Sequence, residues 1–185
     1  AATVVAKAVA GGMITSVNET FRVNHLATNY DNPNSHVLGF YNGARNELSN
    51  GSFKLSKTFM DLMTAKADPR LPILAVVRTG PSSSATIGTE VNTPGIQKGL
   101  PNGVNPNGFV GIETYSQLRA DFVNADAPNI LVSYGETLLL LAEARERGWI
   151  SAGTAEGYFR DGVSASINQL KLYDNGSNSS FGSLF

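Results

Sequence analysis

Residues 133–173 constrain the fold most, because they predict two helices joined by a very short connection. Ser133 and Glu136 match a capping box, in which the serine side chain caps the helix and the glutamate reaches back. A leucine-rich helix follows and ends at Gly148, and Thr154 caps the next helix. Two helices joined this tightly form an antiparallel hairpin, so the pattern predicts a mainly α-helical fold.

The apolar residues of both predicted helices recur at helical spacing. In the first helix Leu138, Leu141 and Ala142 form one stripe, which Leu139 and Leu140 widen. A helix that is apolar nearly all round must be covered on several sides. We therefore expect residues 133–173 to be the best-packed part of the chain. The stripe of the second helix consists of Phe159, Val163, Ile167 and Leu170.

Two further helices and one strand are predicted upstream. Residues 2–10 are small and apolar and are followed by Gly11-Gly12, which is typical of a helix end. Ser56 can cap a helix that runs to Lys66 and ends before Asp68-Pro69. The stretch 71–77 is apolar and β-branched, which predicts a strand.

Residues 15–52 and 79–111 are rich in Gly, Pro, Asn and Ser, which predicts mostly loop with short extended pieces over 15–52 and a long loop over 79–111. A loop of that length inside a domain is usually functional or disordered. Residues 114–126 are ambiguous by pattern alone.

Composition excludes several classes of function. The net charge of -1 gives no electrostatic basis for binding nucleic acid or an anionic membrane. The absence of cysteine excludes disulfides, thiol catalysis and thiolate metal sites. The apolar run 137–142 is far too short to span a bilayer, which needs about 20 residues. The chain carries no signal peptide, and both of its ends are interpreted as cut from a longer protein.

Signatures of catalysis and of cofactor binding are missing from the sequence. It contains no dinucleotide-binding, phosphate-loop, zinc-protease or nucleophile-elbow motif. His25 and His36 are interpreted as loop residues, and the oxygen-rich run 31–35 favours a turn over a calcium loop. We therefore expect no enzyme activity, no cofactor and no metal.

Two residues near the first helix of the hairpin have competing interpretations. Glu143, between two alanines, could act as a general acid, but pairing with a neighbouring helix or a backbone group is favoured because an unpaired buried charge is costly. Trp149 could stack on a sugar ring, but packing as a lid on the core is favoured.

The loop over residues 30–46 combines flat aromatic side chains with planar polar ones. Carbohydrate recognition uses both kinds, the first for stacking and the second for bonding hydroxyl groups. The same residues could instead anchor the loop to a core. The predicted ligand-binding residues are Tyr30, Phe40, Tyr41, Asn42, Arg45 and Asn46. Residues 80–110 are a secondary candidate.

The hairpin resembles the signature of the SusD/RagB-like family, the glycan-capturing surface proteins of Bacteroidetes-type bacteria. Residues 133–144 match the family's "SYAE…LLLAEA" helix, and residues 147–150 match its "RGWI". Residues 153–163 are similar to the "GTAE.YY..GV" helix. Gly135 stands where the family usually has alanine, and Phe159 where it often has tyrosine.

Two upstream blocks strengthen the resemblance. Residues 55–72 look like the family's "lSkt…DPRLP" block, and residues 97–103 look like its "kGlpnG" loop. The blocks span roughly residues 54–173 in the family's order.

The resemblance implies a mainly α fold with tetratricopeptide-like helix pairs and long ordered loops. It also implies that residues 114–126 are extended. We expect the chain to be a single partial SusD-like domain over residues 1–185. Its parts are a helix end and loop-rich segment (1–53), a helix with extended segments and a long loop (54–132), the helical hairpin (133–173) and a loop tail (174–185).

The function implied by the resemblance is non-catalytic glycan binding at the surface of the bacterial outer membrane. The expected partners are a polysaccharide or oligosaccharide and a SusC-like TonB-dependent transporter that takes up the nutrient. Membrane contact is expected only through a lipid anchor outside this sequence. The alternative is a helical-repeat adaptor that binds peptides or proteins. A hydrolase ranks last, because it needs a carboxylate pair across a cleft.

Overall fold

A computed structural model describes residues 1–26, 53–79, 88–104, 111–124 and 126–174. The chain divides into two compact units. Unit 1 comprises the described residues of Ala1–Asn24 and Pro128–Asn178, and unit 2 comprises those of His25–Ala127.

The described residues form six α-helices and five strands, together with short 3-10 helices. The helices are α1 (Ala2–Gly11), α2 (Lys57–Ala65), α3 (Leu71–Leu74), α4 (Ala120–Val123), α5 (Tyr134–Glu146) and α6 (Ala155–Asn168). The strands are β1 (Phe21–Val23), β2 (Ala75–Thr79), β3 (Thr89–Val91), β4 (Gln117–Leu118) and β5 (Asn129–Val132). None of these helices has the length and apolar character needed to cross a membrane.

The predicted helical hairpin is present in unit 1 as α5 and α6. The Ser133 hydroxyl accepts the N–H of Glu136 at 3.0 Å, and the Thr154 hydroxyl accepts the N–H of Gly157 at 3.0 Å. Gly148 has a φ of 68°, and the next N–H, that of Trp149, donates to the Ala144 carbonyl at 2.9 Å. This pattern is a Schellman motif, which satisfies carbonyls at the helix end. The predicted caps and the mainly α character are therefore confirmed.

Glycines bring the two hairpin helices together. A Cβ at Gly135 would lie 2.5 Å from the Ser166 hydroxyl, and one at Gly162 would lie 2.9 Å from Leu139. The inner face of α6 is therefore made of small residues, with Gly162 and Ala165 buried. The predicted stripe of α6 is not its buried face, since Phe159 is 56% and Val163 is 42% exposed.

Unit 2 is built on a three-stranded antiparallel sheet in the order β3-β2-β4. On this sheet, Met60 and Met63 of α2 pack with Leu71 and Ala75. The most deeply buried large side chains among the described residues are in this unit and are Met60, Ile73, Val76 and Ser116. The prediction that residues 133–173 are the best-packed part is therefore wrong.

Two segments that were predicted to be extended are partly helical in the structure. The predicted strand over 71–77 starts as α3 and becomes β2 at Ala75. Pro72 fits the first turn of a helix because its φ is already helical and it lacks a donor there. Residues 114–126 combine β4 and α4 rather than forming one extended run, so the prediction of an extended segment was only partly right.

Candidate functional site

The six predicted ligand-binding residues and His36 lie outside the described residues. The six are Tyr30, Phe40, Tyr41, Asn42, Arg45 and Asn46. Of the secondary candidate over 80–110, residues 88–104 are described. The assignment of these residues to a glycan site stays a prediction.

Four charged residues of unit 2 are close in sequence to ranges that lie outside the described residues. Lys54 comes shortly after residues 27–52, Arg78 shortly before 80–87, and Glu113 shortly after 105–110. Glu90 lies on β3, opposite Arg78 in the strand register. We call these four residues the charged cluster.

Arg78 ties the three strands of the sheet together. Its guanidinium donates to Glu90 Oε1 at 2.5 Å, to the Leu118 carbonyl at 3.2 Å and to the Gln117 side chain. The Glu90 carboxylate also accepts the N–H of Ala120 at 2.9 Å. Because Arg78 is 8% exposed, these charge-assisted bonds are shielded from water and hold the sheet in register.

Lys54 is an anomaly beside this network. Its Nζ is buried and has no hydrogen-bond partner among the described residues. Burial, and to a lesser extent the positive charge of Arg78, lower the pKa of Lys54 to about 8, while Glu113 acts in the opposite direction. An ammonium group in that setting is costly, because it has lost water without gaining a full replacement.

A second buried ion pair lies at the start of α4. Arg119 Nε and Asp121 Oδ2 are 3.2 Å apart, and both side chains are almost fully buried. Burial raises the pKa of Asp121, although Arg119 favours the charged form. Desolvation of the carboxylate therefore outweighs the attraction of its partner.

Tyr115 carries a cation on its ring and is held by a rigid backbone. Lys98 Nζ lies 4.6 Å from the ring centroid. Next to Tyr115, the buried Ser116 hydroxyl donates to Gln97 Oε1 at 2.6 Å and accepts the N–H of Lys98 at 3.0 Å. An aromatic ring held in this way has one face covered by the ammonium group.

Gly99 fixes the segment that contains Lys98 to the start of α2. A Cβ at Gly99 would lie 2.3 Å from the Ser56 carbonyl. The N–H of Leu100 donates to the Leu55 carbonyl at 2.8 Å, and the N–H of Lys57 donates to the Leu100 carbonyl at 2.8 Å. The loop that resembles "kGlpnG" is therefore an ordered part of unit 2.

In unit 1, Trp149 and Glu143 both interact with Arg147. The guanidinium lies 5.2 Å from the centroid of a Trp149 ring, and its Nε donates to Glu143 Oε1 at 2.7 Å. Glu143 is paired, but with Arg147 four residues away rather than with a neighbouring helix or a backbone group as predicted, and half of its side chain is exposed. The pairing with Arg147 and the exposure do not favour a role as a general acid.

The described residues contain no cluster of three or more His, Cys, Asp or Glu side chains that could hold a metal ion. His25 is half-buried.

Sequence reasoning missed the charged cluster. One signal was available, because Arg78 interrupts an otherwise apolar, β-branched run over 75–79. A charge inside such a strand requires a buried partner. The sequence does not indicate which partners Arg78 takes, because Glu90 and Gln117 are 12 and 39 residues away along the chain.

A profile of the SusD-like family, described as starch-binding and associating with the outer membrane, matches residues 1–180. The chain belongs to the SusD-like family. This confirms the resemblance on which the sequence analysis relied. No curated protein matches the chain.

Solved structures support the SusD-like assignment. A chitin-binding protein is 27% identical, with a TM-score of 0.66 over 95% of this chain and 37% of its own. A SusD-like protein from Bacteroidetes AC2a is 19% identical, with a TM-score of 0.74 over 93% of this chain and 43% of its own. A SusD homologue from Bacteroides fragilis is 24% identical, with a TM-score of 0.60 over 94% of this chain and 35% of its own. The chain thus spans less than half the length of these solved relatives.

Proposed function

We propose that this chain is part of a protein that binds glycans at the outer membrane without cleaving them. The observation that carries the proposal is the family match over residues 1–180, to a family described as starch-binding and associating with the outer membrane. The chitin-binding protein at 27% identity supports a polysaccharide or oligosaccharide ligand. In this proposal the protein is exposed at the cell surface. The bound glycan passes from it to a SusC-like TonB-dependent transporter.

The proposed ligand site is formed chiefly by residues 30–46 and secondarily by residues 80–110, all of which belong to unit 2. Tyr41 is the first candidate for a stacking platform, with Arg45 and Asn46 as donors to sugar hydroxyls. Binding residues usually stand on loops that a rigid scaffold positions. The buried bonds of Arg78 and the ordered segment around Gly99 make unit 2 such a scaffold.

Glycan binding can be tested by calorimetric titration of the full polypeptide with chitin oligosaccharides and malto-oligosaccharides. Tyr41→Ala should weaken binding by about tenfold, roughly 1.4 kcal/mol, through loss of the stacking face. Phe159→Ala is the matched control, because it removes an aromatic ring that is 56% exposed on α6. The melting temperatures of both variants are measured as well, to show that any loss of binding is not caused by unfolding. Equal affinity of Tyr41→Ala and the unaltered protein would move the site to the 80–110 segment or outside this chain.

The absence of cleavage is a separate part of the proposal. Several carboxylates of unit 2 are engaged by arginines: Asp68 by Arg70, Glu90 by Arg78 and Asp121 by Arg119. Such pairs do not provide the opposed acid and base of a glycosidase. Incubation of the full polypeptide with the same glycans should release no reducing ends. Turnover that a single Glu or Asp substitution abolishes would support the hydrolase instead.

Delivery to a transporter is tested by copurification. The full polypeptide, expressed together with a TonB-dependent transporter of its host, should elute as a complex in mild detergent. Glycan uptake by cells should fall when either partner is deleted. Uptake that continues without the transporter would contradict this part of the proposal.

A further inference from the structure

Lys54 turns its charged end into unit 2. Nζ is buried and has no hydrogen-bond partner in the described part of the chain, although the residue as a whole is only partly buried. Lysine side chains usually do the reverse, burying the stem and keeping the ammonium group in water. With a pKa of about 8, Lys54 is mostly protonated at pH 7. A buried ammonium group whose donors are not used by the surrounding protein requires an acceptor from elsewhere.

The charges around Lys54 leave it one negative charge short. Arg78 lies close enough to repel it, and Arg78 is itself paired with Glu90 at 2.5 Å. Glu113 attracts Lys54, but Glu113 is exposed and no hydrogen bond joins the two side chains. The residues that the structure describes therefore hold one buried positive charge without a matching anion.

The backbone beside Lys54 is held on two sides. The N–H of Leu55 donates to the Ser116 carbonyl at 2.8 Å, and the Leu55 carbonyl accepts the N–H of Leu100 at 2.8 Å. Ser116 is itself fully buried. The Lys54 side chain therefore starts from a fixed point in unit 2, which lowers the entropy cost of holding an ion there.

We propose that the Lys54 ammonium group binds a monovalent anion, either a halide ion from solution or the carboxylate of an acidic sugar. One negative charge balances the local excess, whereas a sulfate ion would bring two. Both sources offer lone pairs to the donors of Nζ, and charge-assisted bonds of this kind are stronger than neutral ones. The halide source is independent of the proposed glycan binding, whereas the sugar source rests on it.

Hydrogen exchange in two sodium salts tests the halide. In the full polypeptide at pH 7, chloride that binds with a dissociation constant of about 50 mM should slow exchange of the Leu55 and Leu100 amides about tenfold at about 0.5 M. Sodium fluoride at the same concentration is the control, because it screens charges equally while fluoride gives up its water less readily. The difference between the salts should vanish in Lys54→Met and persist in Lys57→Met, which removes an exposed lysine paired with Asp61. Equal exchange of the unaltered protein in the two salts would exclude the halide.

Bromide locates the ion directly, because it scatters X-rays anomalously. A crystal of the full polypeptide soaked in sodium bromide should show an anomalous peak within hydrogen-bonding distance of Lys54 Nζ, and the peak should be absent in Lys54→Met. A peak in the crystal without the chloride effect in solution would mean an adventitious ion only and would count against the halide.

Calorimetric titration of the full polypeptide with galacturonate oligosaccharides tests the sugar source. In a buffer without chloride, Lys54→Met should weaken their binding about tenfold or more and leave the binding of neutral malto-oligosaccharides unchanged. Binding of the neutral sugars alone would exclude the acidic sugar and leave the proposed function in place. Failure to bind any glycan would count against the proposed function, while the chloride experiment would still decide the anion site. If neither chloride nor galacturonate binding depends on Lys54, the proposal is overturned.

Discussion

The two units of the chain are stabilised by different means. Unit 1 packs α5 against α6 through glycines, alanine and two buried leucines, Leu138 and Leu141. Unit 2 buries its largest side chains more completely and also buries Arg78, Arg119 and Asp121. The stability of unit 1 therefore depends on the close packing of apolar side chains. That of unit 2 depends on such packing and also on the pairing of buried charges. A scaffold held by directional bonds suits the unit that contains the predicted ligand-binding residues.

The largest effect should follow from breaking a buried ion pair in unit 2. Glu90→Ala removes the carboxylate that accepts from Arg78 and from the Ala120 N–H. Loss of one partner of a buried pair costs about 3–5 kcal/mol, because the other charge stays buried. Hydrogen exchange should show the loss in the amides of β2, β3 and β4 and leave those of α5 and α6 unchanged.

Two variants make the Glu90 experiment specific. Glu113→Ala removes a carboxylate that is exposed, and it should cost much less than Glu90→Ala. Replacing both partners, Arg78→Met with Glu90→Leu, should cost less than Glu90→Ala alone, because no buried charge is then left without its partner. A double variant as unstable as the single one would show that packing, not charge, holds the sheet.

The corresponding effect in unit 1 comes from a cavity. Leu141 is 7% exposed and belongs to the core cluster with Leu138 and Ala165. Leu141→Ala should lower the free energy of unfolding of the hairpin by about 2–5 kcal/mol. Leu140→Ala, on the same helix but 60% exposed, is the control in the 185-residue chain and should change stability by about 0.5 kcal/mol or less. Denaturant titration followed by the fluorescence of Trp149 measures both, and equal losses would contradict the assigned orientation of α5.

A smaller effect is expected where the hairpin helices approach most closely. Gly135→Ala restores the residue that the family usually has, but its Cβ would lie 2.5 Å from the Ser166 hydroxyl. Overpacking costs about 1–3 kcal/mol, and alanine recovers about 1 kcal/mol of helix propensity. The net loss should be on the order of 1 kcal/mol in thermal unfolding. Adding Ser166→Ala to the Gly135→Ala variant should restore part of the lost stability. If it restores none, the strain does not arise from the contact with Ser166.

Local signals in the sequence predicted much of the fold. The three helix caps Ser56, Ser133 and Thr154 were all predicted correctly, because a cap depends on residues two or three positions away. The buried face of α6 was not predicted, since glycine at 162 lets a leucine of the other helix approach. The charged cluster was missed for a related reason. Its partners meet through the sheet register, which one strand's sequence does not determine.

The predicted ligand residues illustrate the same limit. Aromatic and amide side chains over 30–46 indicate a chemistry, but a binding site also requires that distant segments place those groups together. The described residues contribute the scaffold at the ends of that segment, including Lys54.

The smallest expected effect concerns the pH dependence of unit 2. Burial lowers the pKa of Lys54 to about 8 in the folded state, whereas the pKa of an unfolded lysine is near 10.5. Between these two pH values the unfolded chain binds more protons than the folded one, so the free energy of unfolding rises with pH. Below pH 8 both states are protonated, and the folded state carries the full penalty of the buried ammonium group. Lys54→Met should therefore stabilise unit 2 at pH 7, by up to about 1 kcal/mol because solvent screens part of the charge.

The measurement is hydrogen exchange of the Leu55 and Leu100 amides, which bond across the segment next to Lys54. Their protection, corrected for intrinsic rates, should increase from pH 7 to pH 10 in the unaltered chain and stay level in Lys54→Met. Lys57→Met is the matched control, because Lys57 is exposed and paired with Asp61, and it should retain the increase. Amides of α5 should show no such slope, since the buried residues of that helix are uncharged. A slope that persists in Lys54→Met would mean that another group titrates, and the contrast between the units would then rest on the arginine pairs alone.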